Sequence, residues 1–88
     1  MKITPYIMTV EGCDNTKALQ VAQHLQAPTV DFTTGDMDDL LFIAKHRLLP
    51  VPTLLLMDRT KIMARYVEHD IPTPAEVDAT INILKLIS

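Results

Sequence analysis

The feature that most constrains the fold of this chain is an apolar run that does not alternate with polar residues. Residues 53–57 read Thr-Leu-Leu-Leu-Met, and Pro50 and Pro52 exclude a helix immediately before them. A strand with one solvated face alternates, whereas a run that is apolar at successive positions is typical of a central strand covered on both faces. The run therefore predicts a sheet with helices on both faces.

Three further strands and three helices are predicted around this run. Residues 3–10, 29–32 and 62–68 are expected to be strands. Helices are expected where apolar residues recur at helical spacing: Ala18, Val21, Ala22 and Leu25; Met37, Leu40, Leu41, Ala44 and Leu48; Val77, Ile81 and Leu84, broadened by Ile83 and Ile87. The order β-α-β-α-β-β-α predicts the α/β class with a four-stranded mixed sheet, because helical crossovers join parallel strands and a tight turn joins antiparallel ones.

Composition limits the classes of function. With 88 residues, 48% hydrophobic and 22% charged, the sequence predicts a single domain over residues 1–88. A net charge of −3 with scattered Lys and Arg argues against nucleic acid as a partner. No apolar run approaches the roughly 20 residues of a membrane helix, and no signal peptide is expected. One cysteine fits a reducing compartment, so the cytoplasm is the expected location.

Two segments, together with the element order, carry a resemblance to a known family. The first is Val51-Pro52-Thr53-Leu54-Leu55-Leu56, which runs into the buried strand, and the second is Val10-Glu11-Gly12-Cys13-Asp14-Asn15-Thr16-Lys17. Over nearly its whole length the chain resembles the thioredoxin superfamily, in the minimal form that glutaredoxins have. The resemblance implies the thioredoxin fold, a cis peptide bond between Val51 and Pro52, and a position for Pro52 opposite Cys13 at the start of the first helix.

The cysteine segment can be aligned with the family's C-x-x-C motif in two registers. In the preferred register Cys13 is the first cysteine and Thr16 replaces the second. In the other register Cys13 is the second cysteine, and Val10 occupies the nucleophile position, which leaves the site without redox activity. The preferred register places Cys13 just past the strand, at the helix start.

The preferred register predicts chemistry with one thiol. Cys13 is the expected nucleophile of a thiol-disulfide oxidoreductase, and Thr16 stands at the position of the missing resolving cysteine. An external thiol such as glutathione must then release the mixed disulfide, and no bound cofactor is expected. The partners implied are protein thiols or disulfides, or an extended peptide segment of a partner protein. The resemblance also implies a set of substrate-binding residues: Gly12, Val51, Pro52, Thr53 and His69.

Other features favour an alternative, a redox-inactive thioredoxin-fold module that binds protein. A helix N-terminus favours a thiolate, but the carboxylates of Glu11 and Asp14 near Cys13 oppose it. Residues 67–72 lack the glycine that thioredoxins and glutaredoxins carry after the last strand.

The three histidines have no metal-ligand spacing, so no metal site is expected.

Overall fold

The computed structural model describes residues 2–87, which form an α/β structure with one four-stranded mixed sheet and three α-helices. A short 3₁₀ turn, Glu68–Asp70, follows the last strand. No helix in residues 2–87 has the length and apolarity needed to cross a membrane. The elements in chain order are β1 (Ile3–Thr9), α1 (Thr16–Leu25), β2 (Thr29–Asp31), α2 (Met37–Lys45), β3 (Thr53–Asp58), β4 (Lys61–Val67) and α3 (Pro74–Leu86).

The sheet has the strand order β2-β1-β3-β4. β2 runs parallel to β1, with Met8 opposite Val30, because α1 carries the chain back before β2 begins. β3 is antiparallel to β1, with Ile7 opposite Leu54, and β4 is antiparallel to β3. The predicted element order and the mixed sheet are therefore confirmed. The expectation that helical crossovers join parallel strands holds for α1 but is wrong for α2, which connects β2 to an antiparallel strand, β3.

β3 is buried on both faces, as its sequence predicts. Leu54, Leu55 and Leu56 are each 0% exposed. Leu54 and Leu56 pack against α1 and α3, whereas Leu55 and Met57 pack on the other face against α2. Each fully buried leucine contributes about 1.5–3 kcal/mol of transfer free energy, so β3 is the centre of both halves of the core.

α3 begins at the predicted capping box. The Thr73 side chain accepts from the backbone N–H of Glu76, and the Glu76 carboxylate accepts from the backbone N–H of Thr73. Val77 is completely buried, but Ile83 and Ile87 are 57% and 71% exposed. The expected broadening of the buried stripe by those two isoleucines is therefore wrong, because they lie away from the side of the helix that carries Val77.

α2 presents an apolar stripe to solvent. Met37, Leu40 and Leu41 are exposed, while Ile43 is buried and Phe42 packs against the core. The Phe42 ring stacks on Tyr6 of β1, with ring centroids 4.2 Å apart. This contact and the burial of Ile43 set the rotation of α2 about its axis and turn the stripe outward.

The hydroxyl of Tyr6 is buried and has no hydrogen-bond partner within residues 2–87. Burial, reinforced by the nearby carboxylates of Asp39 and Asp36, raises the pKa of Tyr6 to about 12 from its usual 10.0. The unfolded chain releases this proton more readily than the folded chain. The ionisation of Tyr6 therefore leaves the free energy of unfolding unchanged below pH 10 and lowers it as the pH rises from 10 through 12.

Tyr6→Phe should thus stabilise the chain below pH 10, by about 1 kcal/mol, because it removes an unsatisfied buried group. The variant should also lose less stability than the wild type at alkaline pH, because the ionisation of Tyr6 no longer lowers the free energy of unfolding. The measurement is urea unfolding of wild type and variant at pH 8 and at pH 11, with Tyr66→Phe on β4 as the matched control. A stability difference between wild type and Tyr6→Phe that stays constant over this range would contradict the assignment.

Candidate functional site

The loop between β1 and α1 carries the single cysteine of the chain. The Cys13 backbone N–H donates to the Val10 carbonyl at 3.1 Å and closes a tight turn. Gly12 has φ +87°, the left-handed conformation that favours glycine at the third position of such a turn. The turn leaves the Cys13 side chain exposed, with its Sγ 4.0 Å from the Pro50 carbonyl oxygen.

α1 begins after Cys13. Its first helical residue is Thr16 and its N-cap is Asn15, so Cys13 lies three residues ahead of the helix. The expectation that Cys13 stands at the helix start is therefore wrong. The turn closed by Cys13 and Val10 uses residues that the predicted helix would have needed.

The Asn15 side chain joins this loop to the end of β1. Its Oδ1 accepts from the Val10 backbone N–H at 3.0 Å, and its Nδ2 donates to the Val10 carbonyl at 2.9 Å. The same Nδ2 lies 3.3 Å from the Cys13 carbonyl. One amide thus extends the hydrogen bonding of β1 beyond the strand and fixes the backbone on both sides of Cys13.

Asp14 and Thr16 form a local pair at the start of α1. The Asp14 carboxylate accepts from the Thr16 hydroxyl at 2.5 Å and from the Thr16 backbone N–H at 3.1 Å. These bonds from Thr16 hold the pKa of Asp14 below its usual value. Asp14 therefore stays a carboxylate beside Cys13, and the Thr16 hydroxyl is engaged away from the thiol.

The segment before β3 forms one wall beside Cys13. The peptide bond between Val51 and Pro52 is trans, so the expected cis bond is wrong; trans is also the intrinsic preference of an X-Pro bond. The Val51 N–H donates to the Leu49 carbonyl at 2.8 Å, and the Val51 carbonyl accepts from the Thr53 hydroxyl. Thr53 is 1% exposed and lies beneath the wall.

The opposite wall comes from the turn after β4. The Glu68 backbone N–H donates to the Pro52 carbonyl at 2.8 Å, which joins the two walls at their base. Lys17 extends from α1, and its Nζ donates to the His69 carbonyl at 2.6 Å. The His69 ring itself is largely exposed.

These walls enclose a groove of about 360 Å³. Of the site residues expected from the sequence, the structure brings Cys13, Pro52 and His69 together in it. The other expected site residues do not line it: Gly12, Thr16, Val51 and Thr53. The lining residues are Cys13, Asp14, Lys17, Pro52, Glu68 and His69.

Lys17 is the groove residue whose position the sequence least indicates. The sequence favours a solvated surface lysine, yet its ammonium reaches a carbonyl 52 residues away along the chain. The one available signal is its place in the sequence, four residues after Cys13. Within residues 2–87, no cluster of His, Cys, Asp or Glu has the arrangement of a metal site.

Glu68 occupies a backbone conformation that suits glycine. Its φ is +52°, at the place after β4 where the sequence resemblance leads one to expect glycine. A left-handed conformation costs a residue with a Cβ roughly 1–2 kcal/mol. Glu68→Gly should therefore be more stable than Glu68→Ala, by about 1 kcal/mol, in denaturant unfolding.

The comparison of these two variants has a built-in control, because both remove the same carboxylate. The same pair of substitutions at Glu11, whose φ is not positive, should give the reverse order, with alanine the more stable. An alanine variant at position 68 as stable as the glycine variant would show that the left-handed geometry carries no cost there.

Comparison of the chain with protein-family models, with curated proteins and with solved structures finds no match.

Proposed function

We propose that the chain has the thioredoxin fold and exchanges thiols with disulfides through Cys13 alone. The observation that carries the proposal is the exposed Cys13 side chain in a groove that also contains Pro52 and His69. The strand order β2-β1-β3-β4, with helices on both faces, supports the fold. Val10 is buried in the core on the α2 side, which supports the register with Cys13 as the nucleophile.

The proposed reaction has two exchange steps. The Cys13 thiolate attacks one sulfur of a disulfide, the S–S bond breaks, and the leaving thiolate takes a proton from water. An external thiolate of the glutathione type then attacks the sulfur that is bonded to Cys13, forms a new disulfide with it, and releases Cys13 as a thiolate. The second step needs this outside thiol because the chain has one cysteine.

The residues around Cys13 have different parts in this proposal. Lys17 supplies the positive charge of the groove, while Asp14 and Glu68 supply negative charge. A substrate that places a carboxylate near Lys17 and an amide or hydroxyl near Glu68 fits this distribution. Thr16 takes no part in exchange, because its side chain has a hydroxyl in place of a thiol and that hydroxyl donates a hydrogen bond to Asp14.

The test is turnover of a glutathionylated peptide by glutathione, with and without the protein. We expect the folded protein to accelerate release of the peptide thiol and to accumulate a mixed disulfide detectable by intact mass. Equal rates with and without protein would refute catalysis.

A redox-inactive binding module is the second candidate, and one observation favours it. Cys13 precedes α1 by three residues, so it does not occupy the helix terminus where the dipole acts most strongly. In this candidate the groove around Cys13, Pro52 and His69 binds a peptide segment of a partner. Binding that survives a change of Cys13 to serine, without any catalysed exchange in the wild type, would select it.

A further inference from the structure

The outer face of α2 is apolar and has no packing partner in residues 2–87. Met37 is 68% exposed, Leu41 is 60% exposed and Leu40 is 42% exposed. Met37 and Leu41 are four residues apart and lie on the same side of the helix. The inner side is occupied by Ile43 and Phe42. We call the surface formed by Met37, Leu40 and Leu41 the α2 face.

Charges of opposite sign lie at the two ends of α2. Asp36, Asp38 and Asp39 are at the N-terminal end of α2, and Lys45 and Arg47 are at its C-terminal end. Within residues 2–87 neither the Asp38 nor the Lys45 side chain has an ion pair or hydrogen bond. Both are exposed.

Asp38 and Lys45 are too far apart to form an ion pair with each other within one chain. They are seven residues apart, so they lie on the same side of α2 but about 10 Å apart along its axis. In an antiparallel pair of α2 helices crossing near Leu41, Asp38 of one chain lies beside Lys45 of the other. The two-fold axis repeats this contact, so the dimer contains two such ion pairs.

We propose that the α2 face is a self-complementary interface at which two copies of this chain pair with their α2 helices antiparallel. The pairing buries Leu41 against its counterpart and Met37 against the C-terminal half of the other α2, and it matches acidic with basic ends. It also places the two helix dipoles antiparallel, which is the favourable arrangement. A two-fold interface needs a surface that complements itself, and the α2 face has both the apolar centre and the opposed charges.

The face is small, because α2 has nine residues. Stable dimers bury about 1,200–2,000 Å² in total, so an interface centred on one short helix makes a weak dimer. We therefore expect a concentration-dependent equilibrium that low salt strengthens, since the exposed charge pairs are screened by ions.

The test is sedimentation equilibrium of the full chain and two charge variants. Asp38→Lys alone and Lys45→Glu alone each place like charges opposite one another, and each should weaken dimerisation by about tenfold. An equimolar mixture of the two variants restores opposite charges at both positions and should dimerise like the wild type. A mixture no more dimeric than the separate variants would overturn the antiparallel arrangement.

A second variant protects the test against a loss of helix stability in Asp38→Lys. Leu41→Glu places a carboxylate at the centre of the α2 face and should leave the protein monomeric at every concentration. Leu19→Glu, at a 51% exposed leucine on α1, is the control and should dimerise like the wild type. A monomeric wild type at low salt and millimolar concentration, or equal effects of the two leucine variants, would overturn the proposal.

Discussion

Cys13→Ser should abolish the catalysed part of thiol-disulfide exchange and leave only the uncatalysed reaction of glutathione with the substrate. A serine hydroxyl does not attack a disulfide, and the chain has no other cysteine to take its place. The fold should be unaffected, because Cys13 is exposed and its Sγ makes, within residues 2–87, one long hydrogen bond, to the Pro50 carbonyl. Such surface substitutions change stability by about 0.5 kcal/mol or less.

The measurement is release of a thiol from a glutathionylated peptide, compared between wild type and variant. The matched control moves the thiol: Thr33→Cys in the Cys13→Ser background places an exposed cysteine in the turn before α2, outside the groove. That protein should exchange no faster than a free thiol. Equal activity of wild type and moved thiol would mean that the groove adds nothing to the chemistry of an exposed cysteine.

The architecture could be predicted because its strongest signals are local. Leu54 and Leu55 of the apolar run in β3 point to opposite faces of the sheet, so the run requires helices on both faces. The capping box of α3 needs only Thr73 and Glu76, which are three residues apart. Signals of this kind do not depend on how distant parts of the chain meet.

The sequence is a weaker guide where contacts other than helical or strand periodicity decide the outcome. The apolar stripe of α2 has helical spacing, but stacking of Phe42 on Tyr6 selects a different side of the helix for burial. The start of α1 depends on the turn between Val10 and Cys13 and on a side chain that bonds backward to the strand. Periodicity within one segment carries no information about either contact.

The candidate site could be predicted only in part, for the same reason. Cys13 and Pro52 stand out in the sequence by residue type and by their place next to strands. Lys17 enters the groove through a bond to the carbonyl of His69, and Glu68 enters it with a left-handed backbone. Both depend on the path of the chain after β4, which no local pattern specifies.

Asn15→Ala should destabilise the protein by about 1–3 kcal/mol, since it leaves the backbone N–H of Val10 without its partner. Val10 is 7% exposed, so water cannot easily replace the lost amide. Its carbonyl keeps the bond from the Cys13 N–H and is less affected. Asn15→Asp should also be destabilising, because a carboxylate cannot donate to the Val10 and Cys13 carbonyls that Nδ2 now contacts.

Denaturant unfolding measures these losses, and Asn82→Ala on the exposed side of α3 is the matched control. That asparagine has no side-chain hydrogen bond in residues 2–87, so alanine there should change stability by no more than about 0.5 kcal/mol. The position of Asn15 adds a functional consequence. Because its amide fixes the backbone on both sides of Cys13, both Asn15 variants should exchange thiols more slowly while still folded. Full exchange activity in a destabilised Asn15→Ala would show that the amide holds the fold and has no part in positioning the thiol.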